Sequence, residues 1–108
     1  MLHAKLSALW INGSREMRKI PRRDKFKIYG DLLSALYYYP STEKVVLTQI
    51  QAKINVPFDR LKTYIKEISE LGLIQDEISL KLTEKGIEYL RMYDRILDFM
   101  RRMGLDYG

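Results

Sequence analysis

The chain has 108 residues, 46% of them apolar and 31% charged, with no cysteine and a formal net charge of +5. That length suits one domain with a small core. The missing cysteines exclude disulfides, thiol nucleophiles and cysteine zinc sites, and no apolar run approaches the length of a membrane span.

The charge excess sits at one end. Residues 1–23 carry six cations, Lys5, Arg15, Arg18, Lys19, Arg22 and Arg23, against the single anion Glu16. Residues 24–108 carry thirteen charges of each sign. A basic arm ahead of a neutral domain points to a polyanionic partner; the competing reading is a solubilising tail. Leu2, Leu6, Leu9 and Trp10 recur at helical spacing before the break at Asn12-Gly13-Ser14, so residues 2–12 read as a short amphipathic helix. The run is too short and interrupted for a signal peptide. Met17 offers a second start, which would make residues 1–16 an extension. Pro21-Arg22-Arg23 reads as a stiff basic linker.

Asp24 can cap the first major helix, whose apolar stripe is Ile28, Tyr29, Leu32, Leu33 and Leu36. Pro40 ends it, because the residue before a proline is pushed out of helical geometry. Tyr37, Tyr38 and Tyr39 read as helix-end packing with one ring exposed, against the alternative of stacking on bases or a partner. Val45-Val46-Leu47 reads as a short strand. Thr48 then caps a second helix, with Gln51 completing a capping box, and Leu47, Ile50 and Ile54 face inward. Asn55-Val56-Pro57 is a tight turn, and Pro57 suits the first turn of a third helix.

In that third helix Leu61, Ile65 and Ile68 form the buried side, with Tyr64 and Leu71 flanking and Gly72 as the stop. The opposite face then carries Asp59, Lys62, Thr63, Lys66 and Glu70, with Arg60 and Glu67 on its edge. Glu67 and Glu70 read as solvated partners for cations one turn away. Leu73-Ile74-Gln75 and Ile78 to Leu82 read as two strands joined at Asp76-Glu77, the second alternating so that one face is buried. The wing is therefore stubby, and its acidic tip would repel phosphate. Thr83 caps a last helix from Glu84 to about Met103, with Gly104 as the stop. Along it Tyr89, Tyr93, Ile96, Met100 and Met103 recur at the heptad spacing of a coiled-coil seam. Folding back on the first helix or on residues 2–12 is the alternative use of that stripe.

Helix, turn, helix and hairpin in this order predict a mainly α (α+β) fold: a winged helix-turn-helix with a short β-hairpin wing and a long carboxy-terminal coiled-coil helix. The expected division is a basic extension over 1–23, the winged domain over 24–83 and a dimerisation helix over 84–108. The chemistry of catalysis is missing. His3 stands alone near the terminus, no glycine-rich phosphate loop occurs, and no histidine accompanies the serines and aspartates. No enzyme activity, catalytic residue, metal site, cofactor or small-molecule ligand is expected.

The run RLKTYIKEISELGLI, the alternating strand, LTEKGIEYL and the final heptad helix together resemble the small archaeal winged-helix proteins of the Sulfolobus 10a type, over residues 24–103. The most specific stretches are Leu61-x-x-Tyr64-Ile65, Gly72-Leu73-Ile74 and Leu82-Thr83-Glu84-Lys85-Gly86. Small winged-helix proteins of archaeal viruses and plasmids look much the same. The resemblance implies a cytosolic dimer, joined by an antiparallel coiled coil, that binds DNA as a chromatin or regulatory protein. The chain departs from it in its long amino-terminal extension and its acidic wing tip.

The sequence thus predicts a cytoplasmic, nucleoid-associated homodimer on double-stranded DNA, without a membrane partner. The expected DNA contacts are Arg60, Lys62, Thr63 and Lys66 in the major groove, and Arg15, Arg18, Lys19, Arg22 and Arg23 on the backbone or in the minor groove. The expected dimer seam is Tyr89, Tyr93, Ile96, Met100 and Met103. The rival reading is a winged-helix module that docks proteins and binds no DNA.

Overall fold

A computed structural model describes residues 24–105. The candidate arm contacts Arg15, Arg18, Lys19, Arg22 and Arg23, and the amphipathic stretch 2–12, lie outside them. The described chain forms four helices, α1 (Lys25–Tyr37), α2 (Leu47–Ile54), α3 (Phe58–Glu70) and α4 (Glu84–Arg102). α1 is the central element and packs on both α2 and α4, while α2 packs on α3.

Local chemistry sets most boundaries. Asp24 caps α1, its carboxylate accepting the Lys27 N–H at 2.9 Å. α3 stops at a Schellman turn. Leu73 N–H reaches back to the Ile68 carbonyl at 2.9 Å and Gly72 N–H to that of Ser69 at 3.0 Å, with Gly72 at φ +78°. α4 ends the same way at Gly104, where Leu105 N–H bonds the Met100 carbonyl at 2.8 Å.

Several boundaries differ from expectation. Residues 45–47 form no strand; α2 begins at Leu47 with Val46 as its cap residue, so Thr48 and Gln51 build no capping box. Tyr39 supplies the reason. Its hydroxyl accepts the Val46 N–H at 3.1 Å and donates to the Gln49 side chain at 2.9 Å, fixing the helix entry from outside the helix. Only Tyr39 of the tyrosine run turns inward. Tyr37 and Tyr38 are both exposed, edge-to-face at 5.0 Å, because α1 ends at Tyr37 and the regular helical step ends with it. Pro57 precedes α3 as its cap residue rather than entering its first turn. Leu71, expected to flank the core, is exposed at the end of α3.

The wing shrinks most. One antiparallel bridge, Ile74 to Leu82, replaces the two strands expected. The Asp76 carboxylate takes the N–H groups of Ile78 at 2.8 Å and Ser79 at 2.6 Å, closing a local turn that competes with strand pairing. Those two N–H groups hold the Asp76 carboxyl below the usual carboxylate range. Leu80 then adopts a left-handed φ of +57° to bring its side chain into the core. The alternation fails at Ile78, which is 90% exposed.

The core joins Leu32 and Leu33 of α1, Ile50 of α2, Leu61 and Ile68 of α3, and Ile74, all fully buried. Each contributes on the order of 1.5–3 kcal/mol through removal from water. This core holds the α2–α3 pair against α1.

Candidate nucleic-acid interface

The helix pair is joined by a turn that needs one unusual residue. Asn55 sits at φ 56°, ψ 57°, in the left-handed region that asparagine tolerates better than most residues, and its N–H bonds the Gln51 carbonyl at 2.8 Å. Val56 then buries, and Pro57 turns the chain into α3. With Leu61, Tyr64, Ile65 and Ile68 inward, Arg60, Lys62, Thr63 and Lys66 all lie on the exposed face of α3. Among the described residues no salt bridge involves Arg60, Lys62 or Lys66. Thr63 donates its hydroxyl to the Asp59 carbonyl at 3.2 Å, and its oxygen keeps the capacity to accept. Lys62 Nζ lies 5.6 Å from the centre of the Phe58 ring, a neighbour the sequence reading did not single out. The α3 face is thus a row of exposed polar side chains, and among the described residues no group of His, Cys, Asp or Glu could hold a metal ion.

Glu67 departs from its expected role. It is tied to α1 rather than to cations one turn away. Both its carboxylate oxygens lie near Lys25 Nζ, at 3.1 and 3.2 Å, and Oε1 accepts the Tyr29 hydroxyl. The Tyr29 hydrogen bond, then that from Lys25, lowers the Glu67 pKa. Burial, and next the carboxylate it bonds, push the Tyr29 hydroxyl up to about 12. Tyr29 also meets Tyr64 of α3 edge-on at 6.4 Å. These partners stand 38 and 42 residues from Glu67, so no local pattern announces them.

The segment Thr83-Glu84-Lys85-Gly86 acquires a residue-by-residue explanation. Thr83 accepts the Gly86 N–H at 3.1 Å and donates to the Gly72 carbonyl. Lys85 donates to the Leu71 carbonyl at 2.7 Å, satisfying one of the last carbonyls of α3. Gly86 lies so close to the Leu73 carbonyl that a Cβ there would overlap it. The segment therefore locks the start of α4 to the end of the candidate recognition helix.

The proposed seam on α4 divides. Tyr93 is 2% exposed and turns to α1, donating its hydroxyl to Asp31 at 2.7 Å with its ring against Phe26. Tyr89 packs on Phe26 as well and donates to the Phe26 carbonyl at 2.8 Å. Both rings thus have partners within the chain, on the side where α1 lies alongside α4. Ile96 and Met100 are half-buried and Met103 is exposed, with Met92 and Phe99 exposed beside them.

A family model described as winged helix-turn-helix matches residues 22–101. The chain belongs to that family. Membership agrees with the helical order and with the turn between α2 and α3, and points to DNA binding or regulation in general. No curated protein and no solved structure matches the chain. Among the described residues no helix is long and apolar enough to cross a membrane.

Proposed function

We propose that this winged helix-turn-helix protein is a homodimeric double-stranded DNA-binding protein, acting as a transcription regulator or an architectural factor in the nucleoid. α3 enters the major groove, with Arg60 and Lys66 on phosphates and Lys62 and Thr63 toward base edges. The basic arm, Arg15 to Arg23, supplies backbone or minor-groove contacts. The single-bridge wing, with Asp76 and Glu77 at its tip, takes little part. Residues 84–108 hold two copies together through Ile96, Met100 and Met103, in line with the resemblance to small archaeal dimeric winged-helix proteins.

The observation that carries this reading is the exposed row Arg60, Lys62, Thr63 and Lys66 on the helix that follows the turn. A salt-titrated gel shift on random duplex DNA tests it. Arg60→Ala or Lys66→Ala should weaken binding to all sequences alike and reduce the slope of log K against log salt by about 0.9 per subunit. Thr63→Ala should instead change sequence preference. Binding indifferent to all three changes would favour the docking-module reading, which the exposed Ile78, Phe99 and Met103 support.

A further inference from the structure

We propose that Glu67 is a specificity-determining residue on the DNA-facing helix, an anchored carboxylate that holds down affinity for non-specific duplex. This rests on the DNA-binding reading of α3. Glu67 follows Thr63 by one turn and adjoins Lys66, so it stands at the edge of the row that would meet phosphates. It does not swing freely. The buried Tyr29 ring, held against Tyr64, aims its hydroxyl at Oε1 and fixes the carboxylate in place. A phosphate brought to α3 at random therefore meets a carboxylate that cannot rotate away once Lys25 leaves it.

Lys25 sets the balance. Its ammonium spans both carboxylate oxygens, yet its side chain is 63% exposed against 26% for Glu67. An exposed ion pair of this kind is weak, so Lys25 can exchange Glu67 for a phosphate. Exchange leaves the carboxylate bare beside the duplex. A well-registered site offsets that repulsion with its base contacts, and a random site does not.

Fluorescence anisotropy with a short random-sequence duplex, titrated with salt on the full chain, tests the proposal. Glu67→Gln keeps a side chain that Tyr29 can still bond, removes the charge and frees Lys25. It should bind the random duplex about three- to tenfold more tightly, from the lost repulsion and one gained contact. Its salt slope should steepen by about 0.9 per subunit. Lys25→Ala should weaken binding. The pair Lys25→Ala with Glu67→Gln should keep part of the affinity gain without the steeper slope. Tyr29→Phe, which retains the ring, should loosen the carboxylate and give a smaller gain. A Glu67→Gln protein that melts like the parent but matches its affinity and slope would overturn the proposal. A parent chain with no salt-dependent binding to duplex would instead remove the DNA reading, and this inference with it.

Discussion

The two halves of α4 share one heptad rhythm and meet different fates. In the first half Tyr89, Leu90 and Tyr93 turn toward the chain's own body, and the two tyrosine hydroxyls find partners in α1. In the second half Phe99 and Met103 are more than half exposed, with Ile96 and Met100 half-buried. The repeat does not change between them; the ring and hydroxyl contacts to Phe26 and Asp31 of α1 fall in the first half. Periodicity reports that a helix has an apolar stripe, whereas the neighbours it meets in space decide what the stripe touches.

The largest effect should come from emptying the first half. Tyr93→Ala removes a buried ring and leaves Asp31 without that donor, and should cost about 3–5 kcal/mol in urea denaturation. A loss below about 1 kcal/mol would mean that α4 is not integral to the domain. The second half should respond through assembly instead. Glutamate at both Ile96 and Met100 should halve the mass seen by light scattering, since unpaired charge in a dimer seam costs several kcal/mol. The same variant should retain the helical circular dichroism of a folded monomer. A parent protein that is monomeric at tens of micromolar would break this side of the comparison.

Finer substitutions sharpen it. Tyr93→Phe keeps the ring and deletes the bond to Asp31, which Lys27 still meets at 2.9 Å. The expected loss is about 0.5–1.5 kcal/mol in stability, with no change in oligomeric state. The smallest effect concerns the other side of α1 and appears only in alkali. The folded pKa of Tyr29 is raised from 10.0 to about 12. The neutral hydroxyl is therefore favoured by folding, and its stabilising share is whole below pH 10 and fades as pH rises through about 12. Denaturation midpoints measured against pH should show this decline in the parent and a flatter profile in Tyr29→Phe. Tyr93→Ala should leave the shape of that decline in place, because Tyr29 faces α3.

What could be read from the residues alone was whatever a short stretch of chain decides for itself. Asp24 and Thr83 cap their helices through bonds that span three residues, and Gly72 and Gly104 end theirs through a left-handed turn. The stripes of α1 and α3 placed Leu32, Leu33, Leu61 and Ile68 in the core, and the outward row from Arg60 to Lys66 followed by subtraction. Local reading failed where a bond from elsewhere intervened. Tyr39 reset the start of α2; the wing departs for a local reason instead, the Asp76 carboxylate closing a turn within three residues that leaves one bridge. Tyr29 and Lys25 took Glu67 from the far side of the sequence, and α1 claimed half of the α4 seam. Tertiary structure alone decides such cases, because backbone caps and periodicity act within a few residues while side-chain partners are chosen by proximity in space.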